Sequence, residues 1–167
     1  MEKIQNTNTS PSEKVGGINN MISAKAGIGC GLGLIFYFIL MRLLNLHHVI
    51  ELHYFNIVVL FFGLRYAIKR IISRNGEIRY FEGLKSGVVV TLISIFIFNV
   101  FMLLYETIID PSFLEFLREN IVQGHSFSSQ QVIINVIGIL TIEGLSSGFI
   151  MTFSLMQYYK AESSETK

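Results

Sequence analysis

The chain has 167 residues, 51% of them hydrophobic and only 15% charged, against about 25% charged in an ordinary soluble domain. Its 13 Lys and Arg against 12 Asp and Glu leave no basic excess for nucleic acid, and its single cysteine excludes an intramolecular disulfide framework or a Cys-rich zinc site. The shortage of charge argues against a soluble enzyme and for a small integral membrane protein of one domain, with the lipid bilayer around it.

Residues 1–23 are rich in Asn, Thr, Ser, Glu and Lys and contain no apolar stretch of signal-peptide type, so they are expected to form a disordered cytoplasmic tail. A membrane-spanning helix needs about 17–25 mostly apolar residues, because a hydrocarbon core about 30 Å thick is crossed at about 1.5 Å per residue. The first such span runs over about 24–46, with Lys25 at its entry and Arg42 near its end. The second, about 52–72, is weaker, since only 52–64 separate Glu51 from Arg65. It reaches spanning length if Arg65 and Lys69 extend toward one headgroup layer. The third, 86–109, holds no formal charge between Lys85 and Glu106. After it, Asp110-Pro111 offers a helix start, and Phe113, Leu114, Phe116, Leu117 and Ile121 recur at helical spacing among Glu115, Arg118 and Glu119. That is the pattern of a short amphipathic helix on the outer surface. The fourth span, 132–159, contains Glu143, and 160–167 form a second polar tail in the cytoplasm. The expectation is an all-α polytopic bundle of four transmembrane helices occupying 24–159, with a short amphipathic outer helix.

Lys and Arg set the orientation. With four spans, Lys3, Lys14, Lys25, Arg65, Lys69, Arg70, Arg74, Arg79, Lys85, Lys160 and Lys167 fall on one side and only Arg42 and Arg118 on the other. Both termini are therefore expected in the cytoplasm, with the protein in a bacterial inner membrane.

Glu143 is the residue with the most to explain. An ionised side chain at the bilayer centre costs about 2.5–3.5 kcal/mol even on the lenient insertion scale. Counting turns from the span ends brings Asn99 and Tyr37 near its depth, with Arg65 about one and a half turns farther inward. These four are the candidate intramembrane polar site, read either as a proton- or cation-linked centre or as a hydrogen-bonded contact that locks helix packing. Gly144 and Gly148 form a GxxxG around Ser146 and Ser147, and Gly27 and Gly31 form another in the first span. Such spacing lets helix backbones approach closely, within the bundle or across a homo-oligomer. In the first loop, His47, His48 and Glu51 could share a metal with Glu106 and Asp110 at the outer end of the third span, though no HExxH or spaced Cys/His pattern stands behind them. Gly144-Leu145-Ser146-Ser147-Gly148 matches GxSxG but lies inside an apolar span, and no Walker A or GxGxxG motif is present, so neither a catalytic nucleophile nor a cofactor is expected. A shift of 60 residues aligns the first and third spans, matching Lys25 with Lys85, Gly27 with Gly87 and Phe36 with Phe96 among others, as a parallel repeat would.

The segment Leu64-Arg65-Tyr66-Ala67-Ile68-Lys69, then Asn75-Gly76-Glu77-Ile78-Arg79-Tyr80-Phe81-Glu82-Gly83-Leu84-Lys85-Ser86-Gly87, leads directly into an apolar span. Tyr105, a Pro111-x-Phe113 segment and Glu143-Gly144 follow. Over residues 24–158 this resembles the domain-of-unknown-function 4199 family, small four-helix membrane proteins found mainly in Bacteroidota. The resemblance implies topology and compartment and carries no activity. The functional expectation is a non-enzymatic membrane protein acting through helix packing or a membrane-protein partner. The alternative is a small proton- or cation-linked transporter subunit built on Glu143.

Overall fold

The computed structural model describes residues 11–44, 55–76, 78–109 and 129–165. They form α1 (Pro11–Leu43), α2 (Phe55–Asn75), α3 (Tyr80–Leu104) and α4 (Ser129–Glu165), with a π-helical turn, Tyr105–Ile109, continuing α3. No strand occurs among the described residues. The loop containing His47, His48 and Glu51 and the expected amphipathic helix after Asp110 lie outside them.

α1 begins at Pro11, well before the expected Ala24, so much of the polar stretch expected to be a tail is helical. Proline suits a first helical position, where its missing N–H costs nothing. Two polar side chains farther along this stretch, Asn19 and Ser23, are used in contacts. Asn75 Nδ2 donates to Asn19 Oδ1 at 3.3 Å, and the Ser23 and Ser86 hydroxyls share a hydrogen bond of 2.7 Å. α4 likewise outruns the expected 132–159 and takes 160–165 into its last turns.

The helices alternate in direction. Asn19 of α1 meets the end of α2, and Ser23 meets Ser86 near the start of α3. Gly83, at the start of α3, lies against Met156 near the end of α4. One end of the bundle thus collects Lys25, Arg74, Arg79, Lys85 and Lys160. The turn from α2 to α3 is made by Asn75-Gly76. Gly76 sits at φ +80° and its N–H returns to the Ile72 carbonyl at 2.8 Å. This is a left-handed cap that glycine enters at least cost.

α3 touches each of the other three helices. Against α1 it packs in parallel through small residues. A Cβ on Gly27 would stand 2.9 Å from Ile93 Cβ, and one on Gly31 would stand 3.0 Å from Ile97 Cβ. The close approach lets the Ser94 hydroxyl divide its hydrogen bond between the Gly27 carbonyl (3.0 Å) and the Val90 carbonyl (2.7 Å). Against α4 it packs through rows four residues apart on both helices. Gly83 receives Met156 and Gly87 receives Thr152; then the roles reverse, Gly148 receiving Thr91 and Gly144 receiving Ile95. Interdigitated four-residue ridges are the commonest mode of helix packing, and the glycines bring these two rows unusually near.

α2 lies against α1, α3 and α4. Its Leu64, Ala67 and Ile68 are fully buried, while Arg65, Lys69, Arg70 and Arg74 are exposed. α1 from Gly17, α3, and α4 from Gln130 to Lys160 are long and apolar enough to cross a membrane. α2 carries its basic residues within 21 positions and is not among them. Two apolar clusters fill the bundle. One gathers Cys30, Leu64, Ile68, Val90 and Met156 toward the basic end; the other surrounds Phe38 with Phe98, Met102, Tyr105, Val132 and Val136.

The 60-residue alignment does not correspond to symmetric packing. Gly27 faces α3, whereas its aligned counterpart Gly87 faces α4. A two-fold relation between two helix pairs would require Gly87 to face α1 as Gly27 faces α3.

Candidate intramembrane polar site

The described helices place the four expected site residues in different surroundings. Asn99 projects from α3 into the seam with α4, where its Nδ2 donates to Thr141 Oγ1 at 2.7 Å. Thr141 in turn donates to the Ile137 carbonyl at 2.7 Å, so the three groups form a short chain ending on backbone. Among the described residues, Asn99 Oδ1 is buried without a hydrogen-bond partner, a condition shared by Asn56 Oδ1 on α2 and Thr91 Oγ1 on α3. Tyr37 on α1 is half-buried and stacks on Phe55, with ring centroids 6.1 Å apart and planes 20° from parallel. Arg65 is exposed on α2.

Glu143 is exposed on α4. Its backbone carbonyl accepts the Ser147 hydroxyl at 2.8 Å, and among the described residues its carboxyl engages no side chain. The reason is helical geometry. Thr141, which faces Asn99, precedes Glu143 by two positions, and two positions turn the side chain by about 200° around the helix. Asn99 and Glu143 therefore share a depth without sharing a face. Sequence order alone hid Thr141 as the partner of Asn99, although a hydroxyl beside an intramembrane Glu was the available signal.

The expected packing residues Gly27, Gly31, Gly144 and Gly148 all lie at contacts within this one chain. Gly83, Gly87 and Gly63 join them, the last holding Cys30, whose Sγ would be 2.8 Å from a Cβ placed there. Among the described residues no three His, Cys, Asp or Glu side chains group as metal ligands do. Between α3 and α4 an open groove of about 500 Å³ is lined by Val88, Thr91, Leu145, Phe149 and Thr152 among others, nearly all of it apolar.

An all-α bundle with three helices long and apolar enough to cross a membrane and large apolar side chains on its outside points to a helical membrane protein. The chain belongs to the family described as "Protein of unknown function (DUF4199)", whose model matches residues 25–160. No curated protein and no solved structure matches it.

Proposed function

We propose that the chain is a four-span protein of a bacterial inner membrane, with both termini in the cytoplasm, that acts without catalysis through helix contacts with a membrane partner. Support for the fourth span comes from α2. It runs between α1 and α3 in strict alternation of direction, buries Leu64, Ala67 and Ile68 completely, and ends in the same basic layer as Lys25, Lys85 and Lys160. Its 21 residues extend about 31 Å at 1.5 Å each, enough to cross if the basic side chains reach the headgroups. The excess of Lys and Arg in that layer supports its assignment to the cytoplasmic face.

The observation that carries the partner reading is the exposure of Glu143 on α4. A transport centre would need Glu143, Asn99, Tyr37 and Arg65 around one internal space, whereas Asn99 is bound to Thr141 and Glu143 looks outward. Reporter fusions at the two termini and in the loop after residue 44 test the topology. Glu143→Gln, which keeps hydrogen bonding, is expected to preserve expression and phenotype, while Glu143→Leu is expected to lose the phenotype with normal expression. Proton or cation flux through proteoliposomes that disappears in Glu143→Gln would overturn this reading in favour of transport.

A further inference from the structure

α4 carries a line of polar side chains on the side that the bundle leaves open. Asn135, Glu143, Ser146 and Gln157 are all exposed. At about 100° per residue, Asn135, Ser146 and Gln157 fall within about 40° of one another, with Glu143 about 80° from Asn135. Exposed Ile139 and Ile150 lie between them on the same face. α4 is also the least covered of the membrane-length helices, 11% of its apolar window being buried against 39% for α3 and 28% for α1.

This face is poorly suited to lipid. The Glu143 carboxyl and the Ser146 hydroxyl are costly to leave unpaired near mid-membrane, and Asn135 and Gln157, about 33 Å apart along the helix, bracket them at the edges of the hydrocarbon. A polypeptide surface must satisfy the line, and the line is complementary to itself. Asn, Gln and Ser each both donate and accept, so each is satisfied by an identical residue at the same depth. A two-fold axis along the membrane normal provides that arrangement, since it sets α4 parallel to α4 and brings every position on the contact line against its own copy. A cationic partner helix would account for Glu143 but not for the amides and hydroxyl spaced along both sides of it.

We infer that α4 is the interface of a parallel homodimer in which Asn135, Glu143, Ser146 and Gln157 each meet their counterpart in a second copy of this chain. The inference rests on the reading that the protein acts through helix contacts, and it names the partner. The test uses the full chain in its native membrane with Cys30 replaced by Ala and single cysteines at Asn135, Ser146 or Gln157, oxidised with copper phenanthroline. Same-position disulfide dimers are expected at all three, strongest at Ser146, and absent at Phe96→Cys on α3, a position 70% exposed on a different helix. Photobleaching steps of the fluorescently tagged wild-type chain in lipid give an answer independent of the cysteine variants. Two steps are expected for wild type and Glu143→Gln. For Glu143→Leu dimerisation is expected to weaken about tenfold, as loss of 1–2 kcal/mol of interhelical hydrogen bonding implies. A single step for wild type in lipid, or a cross-link at Phe96 as efficient as at Ser146, overturns the homodimer. Capture of a different protein by Ser146→Cys with a monomeric wild type overturns it while leaving the partner reading intact. Cation flux that depends on Glu143 in an intact dimer overturns the partner reading and leaves the interface standing.

Discussion

α3 and α4 pack on each other along one seam, yet they dispose of their polar residues in opposite ways. On α3, Ser86, Thr91 and Ser94 are buried and Asn99 is half-buried at the seam, while Val88, Leu92, Phe96 and Val100 face outward. On α4, Thr152 is buried at the seam, but Asn135, Glu143, Ser146 and Gln157 face outward among isoleucines and phenylalanines. Lipid gives apolar surface no reason to hide, so close packing and interhelical hydrogen bonds hold a bundle together. α3 follows that logic on both sides. α4 follows it on one side only, and its outer face has the composition of a surface awaiting another polypeptide.

The strongest way to break the comparison is to destroy the seam the two helices share. A Cβ at Gly87 would overlap Thr152, and both atoms belong to helices held by further contacts above and below. Gly87→Val is therefore expected to destabilise the chain by about 1–3 kcal/mol or more, the usual range for overpacking. Unfolding in mixed micelles against increasing SDS measures it. Gly29→Ala provides the contrast, because nothing lies within 4 Å of a Cβ there, and the gain in helix propensity of about 0.5–1 kcal/mol is expected to appear as a small stabilisation.

The next effect concerns how α3 is started. Gly76 has open space around a Cβ, so only its φ of +80° resists substitution. Gly76→Ala is expected to cost about 1–2 kcal/mol, the penalty of a left-handed L-residue, and Gly76→Asn distinctly less. A cost that is equal for the two would place the penalty in packing instead. The same SDS titration separates them.

What the sequence made legible divides along the same line. The four-residue spacing of Gly27 and Gly31 and of Gly144 and Gly148 announced close helix approach, and all four are at contacts. Gly83 was harder to read because Phe81, Glu82 and Lys85 surround it at the edge of the apolar run, where a glycine also reads as part of a turn. The helical start at Pro11 escaped a reading by composition, since Asn19 and Ser23 find their partners in Asn75 and Ser86, far along the chain. Helical periodicity shows which residues share a face, but it does not choose which face meets a neighbour. That is why Asn99 and Glu143 were legible as polar residues of similar depth and not as residues pointing apart.

The smallest effect sharpens the comparison most, because it sets one asparagine of each helix against the other. Asn99→Leu removes the hydrogen bond to Thr141, but Thr141 keeps its bond to the Ile137 carbonyl and the unpaired Asn99 Oδ1 goes as well. Little is orphaned, so the expected cost is about 0.6 kcal/mol, the average for such bonds between membrane helices. Asn135→Leu, on the exposed face of α4, removes no hydrogen bond or ion pair among the described residues. Unfolding of the dilute monomer in micelles is therefore expected to shift for Asn99→Leu and to stay unchanged for Asn135→Leu. In concentrated lipid the order is expected to reverse, with Asn135→Leu lowering dimer occupancy and Asn99→Leu leaving it alone. If Asn135→Leu shifts the monomer as much as Asn99→Leu does, the outer face of α4 already serves the fold, and the contrast between the two helices fails.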